Sequence, residues 1–120
     1  MALYQLGEVE SRFAEIIWRE EPLSSPELVR LCEKELNWKK STTYTVLRKL
    51  CQRGIFKNEN SIVSSVISKE KYCSCAGKSF IEETFNGSLP AFIAAFAADN
   101  KLTEEDIAEI KKLIDDYEAE

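Results

Sequence analysis

A chain of 120 residues that is 44 % apolar and 10 % aromatic has room for one domain, or one small domain with an accessory element. It has enough apolar material for a core and is not a disordered tail. No apolar run reaches the ~18 residues of a membrane span, and the opening MALYQLGEVESRF lacks the basic-then-apolar layout of a secretory signal. A cytoplasmic protein is expected. The absence of histidine removes the commonest general base and the commonest metal ligand. Four cysteines without an export signal read as thiols or metal ligands, and four glycines with no Gly-rich run argue against a nucleotide-binding loop.

The net charge of −5 conceals a segregation. Residues 1–38 carry eight acidic and four basic side chains, and residues 79–120 carry eleven and three. Residues 39–57 hold six basic side chains, Lys39, Lys40, Arg48, Lys49, Arg53 and Lys57, and no acidic one. A basic island in an acidic chain points to a polyanionic partner, because the local field steers association.

Leu6, Val9, Phe13, Ile16 and Ile17 recur at helical spacing and predict an amphipathic first helix over residues 6–21, stopped by Pro22. Ser24-Ser25-Pro26-Glu27 then starts a second helix. Either Ser24 and Glu27 form a capping box, or Ser25 caps with Pro26 in the first helical position. Leu28, Leu31, Cys32 and Leu36 continue its apolar face. A third helix is expected from Ser41 or Thr42 to Arg53, with Gly54 as a left-handed cap. At about 100° per residue, Val46, Leu47, Leu50 and Cys51 face the core. Thr43, Tyr44, Arg48 and Lys49 fall largely on the opposite side.

Residues 55–58 and 61–68, joined by a Glu59-Asn60 turn, read as a short β-hairpin that must pack on the helices. Three helices and a hairpin, with the third helix basic and exposed, form a winged helix-turn-helix. Residues 78–85 read as a helix broken by Gly87, and residues 89–98 as an apolar run. Thr103 caps a last helix with acids at the positive end of its dipole and Ile107, Ile110, Leu113, Ile114 and Tyr117 on its apolar side. A tail of roughly 40 residues is too small to make a solitary core. A second copy of the chain is its expected cover, with Leu89, Phe92, Ile93, Phe96, Ile107, Ile110 and Ile114 as contacts; the alternative is that the tail folds back on the first domain. The expected fold class is mainly α with a small β-hairpin. A winged-helix DNA-binding domain occupies residues 1–71, and a helical dimerisation region occupies residues 72–120.

Catalysis is poorly supplied. There is no Ser-His or Cys-His pair, and Glu82-Glu83, Glu104-Glu105 and Asp115-Asp116 read as solvated surface. No enzyme and no cofactor are expected. The third helix of such a fold lies in the DNA major groove, its N-terminal residues at base edges and its cations on phosphates. The DNA-binding candidates are therefore Lys39, Lys40, Ser41, Thr42, Thr43, Tyr44, Thr45, Arg48, Lys49 and Arg53. Cys73-Ser74-Cys75 offers two thiolates, half a tetrahedral Zn(II) or Cu(I) site that a symmetric dimer could complete. The alternative is two ordinary cysteines at a helix start.

The sequence resembles the penicillinase-repressor family (BlaI/MecI/CopY type) over essentially its whole length. The resemblance runs through Leu6-Gly7-Glu8-Val9-Glu10 and Ile17-Trp18, then Trp38 and Thr42-Thr43-Tyr44-Thr45-Val46-Leu47-Arg48-Lys49-Leu50, then Arg53-Gly54-Ile55. It continues through Lys78-Ser79-Phe80-Ile81, Phe85-Asn86-Gly87-Ser88-Leu89 and Leu102-Thr103-Glu104-Glu105-Asp106-Ile107. The resemblance implies a homodimeric winged-helix repressor on palindromic operators, controlling β-lactam resistance genes. It also implies release when a membrane sensor-protease cuts the dimerisation region before a Phe that follows Asn. The aligned pair here is Ser79-Phe80, a departure from that pattern. Copper-responsive relatives carry paired Cys-x-Cys motifs near the C-terminus, whereas this chain has one, placed earlier. A metal- or thiol-responsive repressor and a winged-helix protein-interaction module are the rival readings.

Overall fold

The structure is a computed structural model and describes residues 5–118. In chain order its elements are α1 (Glu8–Glu20), β1 (Leu23–Ser24), α2 (Ser25–Leu36), α3 (Lys40–Gln52), β2 (Phe56–Glu59), β3 (Ile62–Ser65), α4 (Lys69–Phe85), α5 (Leu89–Asp99) and α6 (Glu104–Asp116). Together they form a winged helix-turn-helix followed by further helices. No helix among the described residues is long and apolar enough to cross a membrane. The chain divides into two compact units, residues 1–79 and 80–120, and the division falls within α4.

In the first unit the predicted amphipathic faces make one core. Phe13, Ala14, Ile16 and Ile17 of α1, Leu28, Leu31 and Cys32 of α2, and Leu47 and Leu50 of α3 are buried together with Leu23, Ile55, Phe56 and Val63. Ser24 caps α2 by accepting from the Glu27 amide, and Pro26 occupies its first turn, where no backbone donor is needed. Asn37 at φ 57° ends α2 in the left-handed region, so that Trp38 stacks on Phe13 with ring centroids 5.5 Å apart. At the far end of α3, Gly54 at φ 80° donates to the Cys51 carbonyl and Ile55 to the Leu50 carbonyl. This is the paired closure of a Schellman motif, and it turns the chain directly into β2.

The structure corrects the expected wing in two respects. The turn is Asn60-Ser61, not Glu59-Asn60, because Glu59 pairs with Ile62 in the ladder. Both turn residues have positive φ, 52° and 64°. A two-residue hairpin loop matching the twist of its strands requires that, and Asn tolerates it far better than Glu. The sheet also has a third strand, β1, which pairs with β3 in the order β1-β3-β2 and so ties the α1–α2 connection to the wing.

The C-terminal helix expected over residues 78–85 is the end of a longer one. α4 begins at Lys69, where the Ser68 hydroxyl accepts from the Lys71 amide. The stretch of residues 72–80 is therefore helix. In the second unit Thr103 caps α6 as expected, accepting from the Asp106 amide, and Ser88 caps α5, accepting from the Ala91 amide. Phe80, Phe85 and Phe92 meet edge-on with centroids 5.5–6.0 Å apart. No described side chain of this unit is buried: Leu89 is 55 % and Ile114 64 % exposed.

Candidate nucleic-acid interface

The α3 helix is set by its inner stripe. Thr43, Leu47 and Leu50 are its buried residues, spaced four and three apart. Thr43 is fully buried, and its hydroxyl faces the Lys39 carbonyl at 3.4 Å. This corrects its assignment to the DNA-facing side. Its position belongs to the core sector of the helical wheel, and a Thr there satisfies its hydroxyl against the preceding turn. Val46 and Cys51, expected in the core, flank it half-buried. Tyr44 is also half-buried, and its hydroxyl donates to Ser25 Oγ at 3.3 Å, fixing α3 against the first residue of α2.

The outer stripe follows from the inner one. Ser41, Thr45, Arg48 and Gln52 are exposed and spaced four, three and four apart, so they line one face of α3 away from the core. Thr42 and Lys49 are exposed beside them. The Thr45 hydroxyl donates to the Ser41 carbonyl at 2.9 Å. Gln52 is the residue that the search for cations and small hydroxyls passed over. Its spacing, seven from Thr45 and four from Arg48, was the signal available. A groove of about 240 Å³, lined by Tyr44, Leu47, Arg48, Cys51 and Asn58, separates α3 from the wing. Burial raises the Cys51 thiol pKa and pushes that of Cys32 up to about 11, so both remain protonated thiols at neutral pH.

The cations fall into two groups. Lys39 and Lys40 stand at the N-terminus of α3, whose first turn holds no acid. Cations at the positive end of a helix dipole cost stability, a local conflict that an approaching anion removes. Lys49 and Arg53, by contrast, reach Glu10 of α1 at 2.9 Å and 3.7 Å. The basic island is thus acid-free in sequence but not in space. Lys57 pairs with Glu59, two residues on along β2, at 3.4 Å.

Cys73 and Cys75 lie two residues apart within α4, Cys73 exposed and Cys75 half-buried. Helical positions i and i+2 differ by about 200° around the axis, about 160° by the shorter way, so the two thiols leave α4 on different sides. No cluster of three or more metal-ligating side chains occurs among the described residues. Ser79 and Phe80 lie in the same helix, with Phe80 half-exposed.

A family sequence model described as "Penicillinase repressor" matches residues 6–116. A penicillinase repressor of Bacillus licheniformis is 20 % identical over 94 % of this chain and 91 % of its own length. The methicillin resistance regulatory protein MecI of Staphylococcus aureus is 21 % identical over 92 % and 94 %. A penicillinase repressor of Staphylococcus aureus is 25 % identical over 84 % and 83 %. The family match runs from ahead of α1 to the last residue of α6, through both compact units, and the chain belongs to the penicillinase-repressor family of transcriptional repressors.

Proposed function

We propose that the protein represses transcription as a homodimer in the cytoplasm, binding a palindromic double-stranded DNA operator with one α3 in each major-groove half-site. The observation that carries this reading is the exposed stripe Ser41, Thr45, Arg48 and Gln52, set between the Lys39-Lys40 pair and the wing groove. Hydroxyls, a guanidinium and a carboxamide are the groups that read base edges, with Arg suited to guanine and Gln to adenine. A protein-docking face would present aromatic or aliphatic side chains instead. The uncovered apolar side chains of residues 80–120 supply the reason for a second copy. The names of the relatives, penicillinase repressor and methicillin resistance regulatory protein, favour β-lactam resistance genes as targets.

Release follows from the same organisation. Cleavage of the Ser79–Phe80 bond by a membrane sensor-protease separates the DNA-reading unit from the apolar unit and converts one bivalent binder into two weak ones. Because the bond lies in α4, that step requires the helix to open locally. The test of the core proposal is a duplex titration at several salt concentrations, on sites selected by the protein from a random pool. A log–log slope of roughly −5 or steeper per dimer is expected. A flat response rejects DNA binding.

A further inference from the structure

The basic island has a built-in partner. Glu10 accepts from the Gly7 amide through Oε1 at 3.1 Å, which closes the first turn of α1 and fixes its carboxylate. The same carboxylate lies 2.9 Å from Lys49 Nζ and 3.7 Å from an Arg53 guanidinium nitrogen. Its side chain is only 20 % exposed, while that of Lys49 is 61 % exposed. The anion is thus held in place at the edge of α3, and the long cation comes to it. Lys49, and after it the Gly7 amide, hold the Glu10 carboxyl below its ordinary range, so the charge persists at neutral pH.

We infer that Glu10 limits the phosphate grip of the DNA-binding surface: by engaging Lys49 and Arg53 it withdraws cationic charge from phosphate contact. This rests on the DNA-binding reading above. Phosphate contacts carry no sequence information and strengthen binding to every site alike. Base contacts from Ser41, Thr45, Arg48 and Gln52 do carry it. A fixed anion beside the stripe therefore lowers affinity for arbitrary DNA and for the operator by a similar factor, and leaves the choice between them to the base contacts. The cations left to grip phosphate are Lys39 and Lys40 at the start of α3, with Arg48 in the stripe itself. No ion pair is formed by these three among the described residues.

The test uses the full chain, a mixed-sequence 30-bp duplex and a duplex selected from a random pool by the wild-type protein. Glu10→Gln keeps the acceptor for the Gly7 amide and removes the charge. Binding to the mixed duplex is expected to tighten roughly 3- to 10-fold at low salt, with a log–log slope steeper by about one per chain. The selected duplex is expected to tighten by a similar factor, because phosphate contacts act on every site alike. Lys49→Gln in the otherwise wild-type chain supplies a reading that does not depend on how Glu10→Gln folds. It is expected to leave the slope nearly unchanged, whereas Lys40→Gln flattens it by about one per chain. Unchanged or weaker mixed-duplex binding by a folded Glu10→Gln variant overturns the inference. So does a Lys49→Gln slope change equal to that of Lys40→Gln. If wild-type protein shows salt-dependent binding in either of these cases, only the role of Glu10 falls. If wild-type protein binds neither duplex, the DNA-binding reading falls with it.

Discussion

Trp18 Nε1 of α1 donates to the carbonyl of Ile67 at 3.0 Å, just past the end of β3. The same indole lies 5.5 Å from the Phe56 ring and 5.4 Å from the Tyr72 ring. One side chain thus binds the entry to the wing, its exit and the start of α4 to the first helix. Beside it, Glu21 accepts from both the amide and the hydroxyl of Ser65, at 2.9 Å and 2.8 Å. The wing is held to the three-helix core by directional bonds as well as by burial of Phe56 and Val63. Trp18→Phe keeps an aromatic ring and removes the donor. We expect a loss of about 1–2 kcal/mol, the cost of leaving a part-buried carbonyl without its partner. Urea denaturation monitored by far-ultraviolet circular dichroism reads it, and an unchanged midpoint would show that water replaces the bond.

Thr43 and Gln52 form a contrasting pair on α3, one fully buried and the other exposed. Thr43→Ala removes a buried methyl and hydroxyl and is expected to cost about 1–2 kcal/mol without altering which bases are preferred. Gln52→Ala is expected to shift stability by less than about 0.5 kcal/mol and to relax base preference at one position of each half-site. Selection of binding sites from a random pool with each variant distinguishes the two. A changed consensus with Thr43→Ala would contradict the packing described above.

Those two residues also show where the sequence was legible. The helical wheel places Thr43 in the same sector as Leu47 and Leu50, four and seven positions away. At about 100° per residue, four residues back from Leu47 bring Thr43 to within about 40° of it, so the angular rule followed through puts it in the core sector and not on the opposite side. Gln52 lies on the wheel with Ser41, Thr45 and Arg48, but a search weighted toward charge did not reach it. The amphipathic faces of α1 and α2, the Ser24 and Thr103 caps and the Gly54 stop were readable because each is a local rule with a fixed offset. The two-residue strand β1 has no period to detect, and it forms only because β3 offers an edge. The Glu10–Lys49 pair joins residues 39 positions apart and arises from the packing of α1 and α3 in the core, which no local pattern contains.

The acid limb of stability is set partly by Glu10 and Glu35. Lys49, ahead of the Gly7 amide, lowers the first carboxyl below its ordinary value of 4.5, and Arg19 lowers the second. A carboxyl whose folded pKa lies below its unfolded one contributes stability that is fully present above the ordinary carboxylate range. That contribution is lost as the pH falls through the depressed folded value, because the unfolded chain takes up protons first. Both pairs are at the surface, so salt weakens the effect. Thermal midpoints of wild type and Glu10→Gln are therefore expected to differ most at neutral pH and low salt. They should converge as the pH falls below the carboxylate range. A difference that is constant across pH would assign the loss to something other than the charge.

Residues 80–120 test the dimer. Leu113 and Tyr117 are 71 % and 72 % exposed, and Leu89, Phe96, Ile107 and Ile114 are exposed with them, while Phe92, Ile93 and Ile110 are half-covered. Burying each large side chain in an interface is worth about 1.5–3 kcal/mol at most, and several together exceed the cost of association. A two-fold interface repeats every lesion, so Phe96→Asp introduces two unpaired carboxylates among apolar groups. Sedimentation velocity at micromolar concentration is expected to show a dimer for wild type and a monomer for the variant. The three-helix core lies in the other compact unit, so the thermal transition of that unit should survive. Binding to a palindromic duplex should weaken by about 10²-fold or more, since each monomer grips one half-site without the effective concentration that a joined partner provides. Binding to an isolated half-site should change little. A Phe96→Asp variant that remains dimeric moves the interface away from α5. A monomer that binds the palindrome as tightly as wild type would mean that the two half-sites are not read together.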